Sequence, residues 1–364
     1  MSPSGTITAE ANDLANRRIL RLALGTALAM AVSQLFDWPL SFITPIIAGT
    51  LLSLPLPRPS FKLTALFLAS LAGIMLCSFA LLPYLYYARI AAILLIGLGL
   101  FNTFLFTASG GSALLGTLFI LGFTLLTTIG SVNIDALLSL TWGLLWAILV
   151  GFVCVWFAHI LLPEIPLPVQ SGTGPKQTPA EKPLRHEAIQ GAFRALTVVF
   201  PITILLLISS NSSAYTVIMI KVATMGQQAS ASKSKEVGRE LIASTIWGGG
   251  SAIIAWFAMK IFPSLVLYIL LIALSSLIFG KVIFKNAGMH PKAAMWQYAF
   301  ITMMTVLAPT VGSMANGTSA SDKFWLRLAQ FFFVALYGWV AVSVLDAFAR
   351  KRHASPINEQ TPPT

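Results

Sequence analysis

The chain has 364 residues, of which 57% are hydrophobic and only 10% charged, with a net charge of +11. Soluble domains average about 25% charged residues, so this composition excludes a soluble globular protein and points to an integral membrane one. The basic residues lie between apolar segments and form no free-standing basic domain, so no nucleic-acid partner is expected.

Residues 1–16 read as a polar tail. Arg17, Arg18 and Arg21 lead into a first apolar segment, Ile19–Phe36. The small residues Ala27-Leu28-Ala29 resemble a cleavage site, but the arginine-then-apolar pattern recurs down the chain, so a membrane flank is expected here and not a removed leader. Segment two, Pro39–Leu54, is short and interrupted by Pro39 and Pro45. A basic loop with Arg58 and Lys62 leads to segment three, Phe61–Leu82, then to segments four, Tyr84–Phe106, five, Gly110–Val132, and six, Ile134–Leu162. Residues 163–187 are rich in Pro, Gly, Gln and Lys, without apolar periodicity, and read as a flexible cytoplasmic linker.

The pattern then restarts. Segment seven is Ala188–Ser209, eight Ala214–Met225, nine Leu241–Phe262, ten Ser264–Phe284, eleven Ala293–Val311 and twelve Phe324–Phe348; residues 349–364 form a polar tail. The expected fold is therefore an all-α polytopic membrane protein of about twelve transmembrane helices. They form two six-helix repeats, 17–162 and 188–348. Six is even, so the repeats share one orientation and are parallel, about an axis along the membrane normal. With a cytoplasmic N-terminus, the inner flanks hold Arg17, Arg18, Arg21, Arg58, Lys62, Arg239, Lys281, Lys285, Lys292 and the run Arg350-Lys351-Arg352, among others. The outer flanks hold Arg89, Lys260, Lys323 and Arg327. That bias places both termini in the cytoplasm. Small residues in the third segments, Ala72-Gly73 and Gly248-Gly249-Gly250, are expected to let helix backbones approach closely. Cys77 and Cys154 both fall in apolar segments and imply neither a disulfide framework nor a metal site.

Two short, interrupted segments at matching places in two halves point to a transport site. In the second of them, Lys221 stands mid-segment, where a lysine costs a few kcal/mol unless it faces a polar cavity or a partner. Two readings stay open: a cation binding a substrate carboxylate, or a lysine that snorkels or pairs for structure. Tyr215, Thr216 and Thr224 share its segment and can hydrogen-bond a ring hydroxyl or carboxylate, while Gln227 and Gln228 are expected to close its inner end. In segment two, Thr44 beside Pro45 is a place where a backbone carbonyl can be freed. Trp38 marks the outer turn and, with Thr44, joins the substrate-binding candidates; Asp37 beside it is the candidate for carrying a proton or pairing with Lys221, or else an outer-interface residue next to an aromatic anchor. Arg194 and Arg327 read as snorkelling residues or as parts of an anion pathway, Lys260 as interfacial, and His159 as an interfacial histidine or a proton relay. Thr302, Thr305 and Pro309, with Asn102 and Thr103, are weaker pathway candidates.

The arginine-led first helix, the outer turn Asp37-Trp38-Pro39, the Thr-bearing segment Ser41–Thr50 and the basic loop after it, in a six-helix unit that occurs twice, resemble the fusaric acid resistance and aromatic acid exporter superfamily. The resemblance spans roughly Arg17–Phe348 and rests on architecture and diffuse motifs. Many members carry a large cytoplasmic domain after each unit; here only the 163–187 linker and a short tail stand in those places, which implies a compact branch. The resemblance implies a bacterial inner membrane location, export of organic anions such as aromatic carboxylates, and a periplasmic membrane-fusion adaptor as partner.

The chain has no Walker A pattern, no HExxH, no GxSxG and no His/Asp/Glu cluster, so neither an enzyme nor a cofactor or metal centre is expected. No carboxylate lies mid-segment. Proton coupling would have to use edge acids such as Asp37, Asp135 or Asp322, or the proton of Lys221 itself. The expected function is an efflux transporter for organic anions driven by the proton gradient, with a passive anion channel on the same scaffold and a non-transporting membrane scaffold as alternatives.

Overall fold

In a computed structural model the chain is described over residues 3–164, 185–208, 216–231, 237–285, 288–315 and 320–354. Twelve helices occur among the described residues when Ala113–Gly130 is counted as one: α1 Pro3–Phe36, α2 Ile43–Leu52, α3 Phe61–Tyr87, α4 Arg89–Ala108, α5 Ala113–Gly130, α6 Ile134–Leu161, α7 Arg185–Ile208, α8 Thr216–Ala231, α9 Val237–Ile261, α10 Leu265–Ile283, α11 Ala293–Ala315 and α12 Ala320–Ala354. Nine of these described helices are long and apolar enough to cross a membrane. The protein is a multi-pass helical membrane protein. The remaining three are α2, α8 and α11. The first two are short, and α11 carries Gln297, Thr302, Thr305 and Thr310 in its run. A helix walled by other helices has no lipid-facing stripe to keep apolar. Accordingly every residue of α11 from Ala299 to Ala308 is buried.

Helix starts follow local chemistry. Ser60 accepts the Leu63 N–H at 3.3 Å to open α3, Ser264 accepts that of Leu267 at 3.1 Å to open α10, and Asn133 accepts from Asp135 and Ala136 to open α6. Each satisfies backbone donors that a helix N-terminus leaves without partners.

The helices depart from the apolar segments at several ends. The expected polar tail 1–16 is largely helical, because α1 begins at Pro3; Leu14 and Ala15 are buried and Asp13 pairs with Arg17 one turn on, giving the extension both packing and an i,i+4 ion pair. Segment two loses its first turn. Asp37 and Leu40 take φ of 40° and 60°, a left-handed conformation that ends α1 and delays α2 to Ile43. Pro45 does not kink α2, because it falls in the first turn, where an N–H has no intrahelical partner to lose. α8 runs six residues past the expected end at Met225, and α12 runs into the expected polar tail as far as Ala354. The last residues of the expected linker, from Arg185, already belong to α7, while 165–184 lie outside the described residues. α5 contains one π turn, Gly122–Leu126; Gly122 lies hard against Ile74 of α3, and Ser78 donates to its carbonyl at 3.4 Å.

In the core, α1 packs on α2 and α6, and α3 on α4, α5 and α6. α7 packs on α8 and α12, and α9 on α10, α11 and α12. Across the two groups, α1 lies along α10 and α7 along α4, while α2 meets α11 and α8 meets α5. The α1–α10 crossing is tight and partly polar, with Thr26 and Ser276 hydroxyls 2.7 Å apart in full burial. Of the small residues expected to bring backbones together, Gly248 does so, lying beneath the Ala299 carbonyl and Thr302 of α11. Gly73 and Gly250 have open space where a Cβ would stand, so they face outward.

Candidate functional site

α8 is the most enclosed helix of the set: every residue from Ile218 to Ala229 is buried. It touches α4, α5, α7, α9, α11 and α12. Glycines make this crowding feasible. A Cβ on Gly226 would come within 2.7 Å of both Phe104 of α4 and Val199 of α7. Gly116 of α5 makes room for Gln227 and Thr107, and Gly338 of α12 for the Met225 sulfur. At 16 residues α8 rises about 24 Å, short of a bilayer core of roughly 30 Å.

Lys221 is 3% exposed, and its ammonium turns inward. Its Nζ donates to Thr302 Oγ1 of α11 at 3.0 Å and lies 5.6 Å from the centroid of the Phe331 ring of α12. It does not snorkel. No carboxylate among the described residues pairs with it; ion pairs there include those of Arg17 with Asp13 and of Arg18 and Arg21 with Glu164. Thr224 is buried, but its hydroxyl is committed to the Lys221 carbonyl at 2.9 Å. Gln227 and Gln228 lie inside the helix, 1% and 8% exposed, and do not close its inner end. Tyr215 lies outside the described residues; Thr216 is the first residue of α8 and its side chain is not described.

The other candidates gather elsewhere. An open cavity of about 360 Å³ is lined by Gln34 to Phe42, save Leu35 and Phe36, at the end of α1 and the turn before α2, and by Ala308 and Pro309 of α11. Asp37 is exposed there. Trp38 is half-buried and its Nε1 has no hydrogen-bond partner; Thr44, fully buried nearby in α2, likewise has an unpartnered hydroxyl. The candidates thus form two clusters on one helix. Lys221 meets α11 at Thr302, and the Trp38 cavity meets it at Pro309, about 10 Å further along at 1.5 Å per residue.

Thr302 enters as the residue on which Lys221 depends, although 81 positions separate them. In the sequence it stood only as one of the weaker pathway candidates, alongside Thr305 in the same run. Arg327 turns inward too, donating to Thr310 Oγ1 at 3.0 Å, and so does not snorkel. Among the described residues no group of three or more His, Cys, Asp or Glu side chains is placed to hold a metal ion, and Cys77 and Cys154 are free thiols.

Residues 18–158 match a family described as "Protein of unknown function (DUF2955)". The match covers α1 to α6 and stops before the 163–187 stretch. No curated protein and no solved structure matches the chain.

Proposed function

We propose that the chain is an efflux transporter of a bacterial inner membrane that exports organic anions, aromatic carboxylates foremost, with Lys221 as the group that receives the carboxylate. The observation that carries this reading is a fully buried ammonium held only by a neutral hydroxyl and a ring face among the described residues. Burying a charge without a counter-ion costs several kcal/mol, and a substrate anion would remove that cost on binding. Phe331 offers an aromatic face beside the same ammonium.

The scheme includes two six-helix units in parallel orientation, and the helix contacts support it. The pairings of α1 with α2 and α6 recur as α7 with α8 and α12, and those of α3 with α4, α5 and α6 recur as α9 with α10, α11 and α12. Contacts between the groups are reciprocal: first helix on fourth, second on fifth. Arg21 precedes the start of α2 by the same number of residues as Arg194 precedes that of α8. The family match ends where the first unit would end. With both termini cytoplasmic, the Trp38 cavity opens on the periplasmic side, where a membrane-fusion adaptor would dock.

A passive anion channel is the second reading. It is favoured by the carboxylates, since Asp13, Asp37, Asp135, Glu164, Glu187, Glu240 and Asp322 all lie at or beyond the ends of the apolar spans, leaving no mid-membrane acid among them to carry a proton. The test is tolerance to weak aromatic acids in a pump-deficient bacterium expressing wild type or Lys221→Ala at matched membrane levels, with and without an uncoupler. Protection by wild type alone supports the site, and its loss with the uncoupler supports the pump over the channel. Equal protection by both proteins refutes the role of Lys221.

A further inference from the structure

A second charged cluster lies apart from Lys221, where the inner end of α1 meets α6. Arg18 donates through Nε to Glu164 at 3.1 Å and through Nη2 to the same carboxylate. Arg21, one turn deeper, is 4% exposed; its Nη1 stands 4.0 Å from Glu164, an ion pair without a hydrogen bond. Its Nε and Nη2 are buried and have no hydrogen-bond partner. Those two nitrogens form one edge of the guanidinium, with parallel N–H bonds spaced to grip two oxygens of a single acid group. His159 lies within electrostatic range of Arg21 and Glu164. Its Nδ1 is 2.9 Å from the Val155 carbonyl, and the ring also has a backbone partner in Leu56.

We infer that the Arg21 edge is a binding site for a singly charged oxyanion at the inner end of α1. Charge and geometry agree on the ligand. Two arginines against one carboxylate leave one positive charge, which a monoanion balances. Glu164 is occupied by Arg18 and reaches only the far nitrogen of Arg21, so it does not fill the empty edge. A buried guanidinium edge with no acceptor is costly, and a carboxylate or a phosphate supplies two acceptors at once. The site belongs to the first six helices and stands whether or not Lys221 binds a transported anion. The oxyanion has two sources, a soluble carboxylate or phosphate from the cytoplasm and the phosphate of an inner-leaflet lipid.

The test uses the purified full chain in neutral detergent. Benzoate and inorganic phosphate are titrated by thermal shift and equilibrium binding, and phosphatidylglycerol by native mass spectrometry. One oxyanion per chain is expected to bind in a manner that depends on Arg21, separate from any benzoate received at Lys221. Arg21→Gln should weaken it about tenfold or more, by the worth of hydrogen bonds to a charged group. Glu164→Gln, which removes the neighbouring negative charge at constant size, should tighten it. Binding of benzoate or phosphate assigns the soluble source; retention of the lipid alone assigns the headgroup. A purely structural ion-pair cluster gives the opposite result: no probe binds, or Glu164→Gln weakens binding, or Arg21→Gln leaves it unchanged, and each of these overturns the inference.

Discussion

Replacing Lys221 by methionine should make the protein more stable while removing its proposed activity. Methionine keeps the length and most of the volume of the lysine stem and deletes only the charge. The interactions lost are one hydrogen bond to Thr302, about 1.5–3 kcal/mol when a charged group takes part, and a ring contact with Phe331 of roughly 0.5–2 kcal/mol. The Thr302 hydroxyl can fall back on a carbonyl of its own helix, as Thr305 and Thr310 do at 2.7 and 2.8 Å. Against this stands the cost of burying an ammonium without a counter-ion, several kcal/mol even after relaxation. The balance favours Lys221→Met by about 1–3 kcal/mol, the range seen when buried charges give way to apolar groups of similar volume. Equilibrium unfolding in detergent or bicelles, followed by an α8 probe, reads the difference. A Lys221→Met protein destabilised by about 2 kcal/mol or more would refute the reasoning, because the ammonium would then be better compensated than its described neighbours allow.

Thr44→Val should be neutral or stabilising by up to about 1 kcal/mol in the same assay, because it removes a buried hydroxyl that has no partner. Gly226→Ala should destabilise by about 1–3 kcal/mol, since its Cβ would stand 2.7 Å from Phe104 and Val199 and both helices would have to move. Gly250→Ala, two residues past Gly248 on α9, meets open space and should be unchanged or slightly stabilised, a few tenths of a kcal/mol to about 1, by helix propensity. Thermal unfolding of the three variants side by side checks all of these.

Hydrophobic run length made the helices legible in the sequence: segments three, four, six and ten differ from α3, α4, α6 and α10 mainly by a few residues at their ends. Ends set by burial were not. Met225-Gly226-Gln227-Gln228 reads as a polar stop, yet the helix continues because Gly226 and Gly116 let α8 press against its neighbours and carry the glutamines inside. Lys221 was visible because a charge inside an apolar run is rare. Its partner was not, since Thr302 looks like any helical threonine until α9 and α11 cross at Gly248. Arg21 was read as a flank because hydropathy marks depth along a helix and not which side faces the interior. That it turns to α6 and Glu164 is a property of the packed bundle.

The length and charge of α8 also constrain how the chain is made. On a biological insertion scale a lysine near the centre of a helix costs about 2.5–3.5 kcal/mol, and each large apolar residue returns only about half a kcal/mol. A 16-residue helix bearing Lys221, Gln227 and Gln228 therefore gains little from lipid by itself. When it leaves the ribosome, α4, α5 and α7 already exist, but Thr302 and Phe331 do not: they follow 81 and 110 residues later in the chain. During that interval the lysine has water or headgroups as its partners, and α8 reaches its final depth only once α11 and α12 arrive to enclose it. Burial of the Lys221 charge is thus expected late in assembly, once both of its described partners have been made.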